Sequence, residues 1–255
     1  MIYAFDIDGV LTDTGYNIDP KFRDWFIDWS TDKQYVLVTG STYERTLEQI
    51  GKTITDGATI VANCMGNSVY QEGNTVTLNE FELTEEELKF FNATVNSSAY
   101  QTRTGNHVVE RPGSINFSVV GRNATNKQRD NYKAFDEKHS ERLAIAKEIK
   151  ERFPRFDVFI GGDISLDICL KGANKGQVVD YISSLEDFHG KIIFFGDKLG
   201  EWGIDTPLAD AIGHGGEGKT FHVTAGYKQT QHILSTGIDT DINISAWLYD
   251  EPNRP

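Results

Sequence analysis

Ile2-Tyr3-Ala4-Phe5-Asp6-Ile7-Asp8-Gly9-Val10-Leu11-Thr12-Asp13 is a short apolar run that breaks into carboxylates and a glycine. Such a run predicts a buried strand over 2–5 that opens into a polar loop at its carboxyl end. Asp6 and Asp8 stand two residues apart, so both side chains can face one side while the backbone stays extended. One carboxylate placed there can attack a phosphorus atom, and the other can move a proton on the entering or leaving oxygen. Gly9 lets the backbone turn away.

The residues downstream set the strand in a sheet. Phe22, Trp25, Phe26 and Trp29 fall at i, i+3, i+4 and i+7, the stripe of a helix lying on a sheet, which makes Trp25 and Trp29 core aromatics. A second strand is expected over 34–38, ending at Thr39-Gly40-Ser41, and a helix over 43–50 with Ser41 and Glu44 spaced as a capping box. A third strand is expected over 59–62. Strand-helix-strand repeats with short links imply a parallel sheet covered on both faces. The style returns after Lys171, with a helix over 177–185 and strands over 191–195 and 221–224, the first ending in Gly196-Asp197.

Between these halves the style changes. Thr84 and Glu87 box a helix carrying Leu88, Phe91 and Val95. Strands over 107–110 and 114–120 pair across Arg111-Pro112-Gly113, and Thr125 with Gln128 opens one long helix running to Arg152. Strands over 156–160 and 164–170 join through Gly161-Gly162-Asp163. The expectation is an α/β protein: a Rossmann-like parallel core from 1–82 and 173–255, with an inserted α+β cap, an antiparallel sheet with helices, at 83–172.

Composition narrows the function. The 255 residues carry 25 Lys and Arg against 38 Asp and Glu, a formal net charge of −13. That balance speaks against nucleic acid or an anionic membrane as partner, so an anionic ligand needs a local basic cluster or a metal. The longest apolar runs, at 35–38 and 192–195, are too short to span a bilayer. Residues 1–10 hold two acids and no base, unlike a secretory leader. Cys64 and Cys169 fit no metal or redox spacing and read as free thiols of a cytoplasmic protein.

In open parallel sheets ligands bind beyond the carboxyl ends of the strands. Thr39 offers a hydroxyl there, and Lys175 can neutralise charge on a transferring group. Asp197 and Asp205 add hard oxygen ligands suited to Mg²⁺, with Asp205 open between ligand and an acid that orients Lys175. Ser165 and Asp167 alternate with Ile164, Leu166 and Ile168, so they share one face of a strand. That face could be solvent, and Arg111 could be a solvated turn charge.

The four motifs in order, Asp-x-Asp, Thr39, Lys175 and the acidic Gly196-Asp197 loop, resemble the haloacid dehalogenase superfamily. Within it, Ser114-Ile115-Asn116-Phe117-Ser118-Val119-Val120-Gly121-Arg122-Asn123, Arg129, Gly161-Gly162-Asp163-Ile164-Ser165-Leu166-Asp167 and Phe194-Phe195-Gly196-Asp197-Lys198 are similar to the eukaryotic-type phosphomannomutases. The resemblance implies Asp6 as nucleophile and Asp8 as general acid/base. It implies Mg²⁺ held by Asp6, the Asp8 carbonyl and Asp197, with Asp205 close by. Arg111, Arg122 and Arg129 would grip the phosphate remote from the reaction, and Asn116, Ser165 and Asp167 would bind that phosphate or sugar hydroxyls. The implied reaction interconverts mannose 1-phosphate and mannose 6-phosphate, primed by hexose 1,6-bisphosphate, and the implied assembly is a homodimer through the cap.

Some positions depart from that pattern. Thr39 stands where the mutases have Gly, and resembles the sugar phosphatases of the superfamily instead. Ile204 replaces the Asn of a Gly-Asn-Asp triplet, 170–175 replaces a Pro- and Trp-containing segment, and 235–255 has no counterpart. A sugar-phosphate phosphatase is therefore the second reading, and a catalytically inactive sugar-phosphate binding module the third. Intact Asp6, Asp8, Lys175 and Asp197 oppose the last. Gly213-His214-Gly215-Gly216-Glu217-Gly218-Lys219-Thr220 fits a Walker A pattern, but it follows a helix and precedes a strand, the reverse of a phosphate loop.

Overall fold

The computed structural model describes residues 1–185, 188, 190–214 and 218–237. Its strands are β1 (Ile2–Phe5), β2 (Tyr35–Val38), β3 (Ile60–Asn63), β4 (Ser68–Gln71), β5 (Asn74–Leu78), β6 (Val108–Arg111), β7 (Ser114–Phe117), β8 (Phe156–Phe159), β9 (Leu166–Leu170), β10 (Ile192–Gly196) and β11 (Gly218–His222). One sheet runs β11-β10-β1-β2-β3-β4-β5 and the other β6-β7-β9-β8. The first is parallel from β11 to β3, then turns antiparallel at the β4–β5 hairpin. The second is antiparallel throughout. The chain is thus a mixed α/β protein with a parallel-rich sheet and a separate antiparallel one.

Alternation along the parallel strands sorts their side chains onto two covered faces. Ile2, Ala4, Val36, Val38, Ile192 and Phe194 pack on one face against helices α7 (Val178–Ser183) and α8 (Thr206–His214). Phe5, Leu37, Val61 and Phe195 pack on the other, under α1 (Pro20–Ser30), α2 (Tyr43–Ile50) and α3 (Lys52–Gly57). Phe5 stacks on Phe195 at 5.0 Å, and Phe195 on Phe221 at 4.9 Å, which locks β1, β10 and β11 in register. Each such ring, fully buried, contributes about 1.5–3 kcal/mol. Trp25 and Trp29 lie partly buried against this cluster, as core aromatics.

The second sheet shows one apolar face and one polar face. Ile115, Phe117, Phe156, Val158, Leu166 and Ile168 pack against helices α4 (Glu85–Ser97), α5 (Asn126–His139) and α6 (Glu141–Arg152). Ser114, Asn116 and Asp167 point the other way and are nonetheless buried, because that face looks onto the first sheet. Arg111 Nη1 donates to the Gly40 carbonyl at 2.7 Å, and Ile160 N to the Trp202 carbonyl at 2.8 Å, tying the two sheets together.

Several local expectations change. The cap of α2 is Thr42, whose hydroxyl accepts from Arg45 N, one residue past the expected Ser41–Glu44 box. The box of α4 is Thr84–Glu87 as expected, yet Leu88 is exposed and Phe90 takes its buried place. The long helix expected from Thr125 to Arg152 is two helices, broken at Ser140 with φ 52°. Buried Asp136 holds the break by accepting from Arg142 N and Nε, both at 2.7 Å. The strand expected over 114–120 ends at Phe117, and that expected over 221–224 is β11, three residues earlier. The hairpin β4–β5 and helix α9 (Tyr227–Thr236) had no counterpart in the sequence reading. Of the Walker-like segment, Gly218–Thr220 belong to β11 and 215–217 lie outside the described residues, as does 238–255 of the acidic tail. Among the described residues no helix is long and apolar enough to cross a membrane.

Candidate active site

The loop after β1 is held by its own backbone. Asp6 N donates to the Phe195 carbonyl, and the Ile7 carbonyl accepts from Leu11 N and Thr12 N. Gly9 has φ 80°, and a Cβ there would collide with the Asp197 carboxylate. The missing side chain thus lets the loops after β1 and β10 come together. Asp6 is 4% exposed and takes Ile7 N on Oδ1 at 2.8 Å. Asp8 Oδ1 accepts from Gly15 N at 2.7 Å and from Gln49 Nε2 at 2.8 Å.

Lys175 opens a short 3₁₀ turn whose preceding Asn174 caps it through Gly176 N. Its ammonium is fully buried, 3.0 Å from Asp6 Oδ1 and 2.6 Å from Asp205 Oδ1. Burial would push the ammonium down, but Asp205 and then Asp6 lift it above its ordinary range, so it stays charged. The second Asp205 oxygen accepts from Asp197 N and Lys198 N, both at 3.0 Å. Lys198 Nζ lies 2.8 Å from Asp197 Oδ2.

Burial drives the Asp6 carboxyl well above the usual carboxylate range; Lys175 pulls it back, and Asp205, Asp197 and Asp8 push it further up. Asp197 is raised by burial and by Asp205, with Lys198 opposing. Oxygens of Asp6, Asp197 and Asp205 lie within 4.8 Å of one another. This excess of buried negative charge, built of hard oxygens, fits a divalent cation such as Mg²⁺.

The roof of the cleft is basic and polar. Arg122 is pushed down to about 10 by burial and by the nearby Arg111 and Arg129, so it remains a cation at neutral pH. Among the described residues its guanidinium meets no carboxylate within ion-pair distance. Arg111 Nη1 lies 3.3 Å from Asp167 Oδ1. Asn116 Nδ2 donates to Asp167 Oδ1 at 2.8 Å and to Ser165 Oγ at 3.0 Å, while its buried Oδ1 has no partner. Such an orphaned acceptor is costly unless a ligand donates to it.

Thr39, 1% exposed, accepts from Ser41 N on its hydroxyl at 3.1 Å, and among the described residues that hydroxyl donates to no protein group. Asp6, Asp8, Thr39, Lys175, Asp197, Arg111, Asn116, Arg122, Ser165 and Asp167 all line one cleft of about 100 Å³. Asp205 lies beneath Lys175, fully buried. Arg129 does not line it: its Nη2 donates to the Arg122 carbonyl and its Nε to the Ala124 carbonyl, so it braces the segment carrying Arg122. A larger groove of about 630 Å³ between α4 and α6 holds Phe90, Ile145 and scattered surface charges, with none of these groups.

Gln49 belongs to no motif in the sequence, yet it holds Asp8. It is buried, and its amide donates to both Asp8 Oδ1 and Thr12 Oγ1. The signal was a glutamine beside Thr46 and Ile50 on the covered face of α2. Lys198, also in the cleft, gave no separate signal.

The fold is that of the haloacid dehalogenase-like proteins. It is similar to a haloacid dehalogenase-like hydrolase from Bacteroides thetaiotaomicron, with TM-score 0.55 and 12% identity over 83% of this chain and 85% of that one. It is similar too to an IMP-bound IMP-nucleotidase variant from Plasmodium falciparum, with TM-score 0.60 and 15% identity over 92% of this chain and 67% of that one. The model of the eukaryotic phosphomannomutase family matches residues 23–215. A phosphomannomutase from Spinacia oleracea is 32% identical over 213 residues, covering 80% of this chain and 84% of the relative. One from Arabidopsis thaliana is 28% identical over 225 residues, covering 84% and 90%. The chain belongs to the eukaryotic phosphomannomutase family, a family of enzymes.

Proposed function

We propose that the protein interconverts mannose 1-phosphate and mannose 6-phosphate by way of a phosphoryl group carried on Asp6. The observation that supports this reading is one cleft lined by acids, a lysine and a hydroxyl at the ends of the parallel strands and by an arginine on its roof. In this reading Asp6, Lys175 and Thr39 receive the reacting phosphate, and Arg122, which makes no ion pair among the described residues, receives the remote one. A hydrolase needs only the first; a mutase needs both, because its substrate reacts at either end.

In this mechanism Asp6, primed by hexose 1,6-bisphosphate, gives its phosphoryl group to the free hydroxyl of the bound hexose monophosphate. Asp8 takes the proton of that hydroxyl as the O–P bond forms. The resulting bisphosphate turns end for end, with Arg122 now holding the newly placed phosphate. Asp6 then attacks the other phosphorus, and Asp8 returns the proton to the leaving oxygen. Lys175 and the Thr39 hydroxyl bear the charge on the transferring oxygens, and Asn116, Ser165 and Asp167 meet sugar hydroxyls. Mg²⁺, held by Asp6, the Asp8 carbonyl and Asp197, would neutralise phosphoryl charge and align it. Asp205, whose oxygens already serve Lys175 and two amides, sets the lysine in this reading.

A cleft of about 100 Å³ has room for a few waters. The cap must therefore lift to admit substrate and close to keep water from phospho-Asp6. A homodimer through the cap belongs to the same proposal. The second reading, a sugar-phosphate phosphatase, rests on the buried Thr39 hydroxyl. Incubation with hexose 1,6-bisphosphate, followed by acid quench and peptide mass spectrometry, should find one phosphoryl group on the Asp6 peptide. Its absence contradicts the mechanism.

A further inference from the structure

Arg142 lies on α6, away from the core sheet, yet it reaches the roof of the cleft. Its Nε and backbone N take both oxygens of Asp136 at 2.7 Å. Its Nη1 points onward to the carbonyls of Gly162 at 3.0 Å, Gly161 at 3.2 Å and Ser165 at 3.4 Å. Both side chains of the pair are nearly covered, 12% and 10% exposed. One guanidinium thus joins a carboxylate to three carbonyls of a single loop, a geometry that the planar Arg fork makes and a lysine cannot.

The loop it holds is a wall of the cleft: Gly161, Gly162 and Ser165 all line it. Gly161 sits so close to Asp167 that a Cβ would strike its carboxylate. Ser165 Oγ accepts from Asn116, the residue with the orphaned acceptor. The Ser140 break lets α6 begin beside the end of α5, which brings Arg142 onto Asp136 and aims the rest of its fork at the loop. An uninterrupted helix would carry Arg142 elsewhere, so the left-handed Ser140 has a positional use.

We infer that Arg142, clamped by Asp136, is a positioning residue for the substrate-recognition half of the site: it fixes the 161–165 loop and so the placement of Ser165 and Asp167. It touches no reacting atom. The inference rests on the proposed sugar-phosphate activity only for its kinetic readout.

The test is Arg142→Lys, which keeps a cation beside Asp136 and removes the fork. Amide exchange of peptides spanning 161–167 should speed up several-fold, while peptides of β1 and β10 stay unchanged. KM for the hexose phosphate should rise on the order of tenfold, with hydrolysis of a small aryl phosphate, which needs only the core station, changed by less than about twofold. Arg142→Ala, which also strips Asp136 of its partner, should lower thermal stability where Arg142→Lys does so far less. Unchanged exchange over 161–167, or equal loss on both substrates, overturns the inference. If the wild-type protein does not act on hexose phosphates, the proposed function fails, and the exchange result still decides the clamp.

Discussion

The ammonium of Lys175 lies 3.0 Å from Asp6 Oδ1 with no access to water. It is shared with Asp205, which is itself fixed by two backbone amides of the loop after β10. Asp6 is therefore tied through one buried cation to the loop that carries Asp197. Lys175→Met leaves Asp6 and Asp205 buried without their cation. Urea denaturation should show a loss of about 3–5 kcal/mol at neutral pH. Turnover per folded molecule should fall at least roughly a hundredfold. Near wild-type stability would mean that the cation is not needed to hold the acids.

Arg122 and Arg129 should separate. Arg122 faces the cleft, whereas Arg129 acts on the Arg122 and Ala124 carbonyls. Arg122→Ala should raise KM for a hexose phosphate strongly, by roughly 1.5–3 kcal/mol of lost charge-assisted bonding, and spare a small aryl phosphate. Arg129→Ala should give a smaller change of the same sign. Steady-state kinetics on both substrates check this, and a larger effect at Arg129 would contradict the geometry.

Acid stability gives a third test, away from the cleft. Both oxygens of Glu87 accept from the Arg155 guanidinium at 2.7 Å. Burial opposes ionisation of Glu87, but Arg155 and Thr84 outweigh it and hold the carboxyl below its ordinary value. A depressed carboxylate stabilises the fold above its unfolded value, near about pH 4.3, and loses that contribution as pH falls through the folded one. Arg155→Ala should therefore cost about 1 kcal/mol near pH 7, and the gap from wild type should close below roughly pH 4. Denaturation curves at several pH values measure it. A gap independent of pH would assign the effect of Arg155 to its packing on Phe156 instead.

Cys64 supplies a fourth. It is fully buried, and burial pushes its thiol up to about 12. Native protein should resist alkylation at pH 8 and react fully once unfolded. Fast labelling of Cys64 in native protein would show that the segment after β3 opens readily.

Much of this was readable from residues because it depends on local spacing. The apolar runs at β1, β2 and β10, with Asp6, Thr39 and Asp197 directly after them, gave the strands, their order and the edge that lines the cleft, since buried parallel strands leave contiguous apolar letters. The Thr84 and Thr125 boxes gave two helix starts. What escaped lacks such letters. Ser140 is left-handed without being Gly, so one helix was read where two exist. The hairpin β4–β5 has no contiguous apolar run: Val76 and Leu78 of β5 alternate with Thr75 and Thr77, and both are exposed. The buried polar face of the second sheet depends on the other sheet lying above it, a tertiary fact that strand periodicity leaves open between ligand and solvent. Arg129 and Gln49 escaped for the same reason: side-chain reach, not spacing, makes each a brace, Gln49 on Asp8 and Arg129 on the Arg122 carbonyl.

The proposed reaction is phosphoryl transfer between two ends of one sugar. The decisive measurement is phosphorus NMR of the purified protein with mannose 1-phosphate, Mg²⁺ and a trace of glucose 1,6-bisphosphate, beside Asp6→Asn as control. Mannose 6-phosphate is expected, formed only when the bisphosphate is present and not by Asp6→Asn. Release of inorganic phosphate with no mannose 6-phosphate would contradict it and leave a phosphatase on this fold.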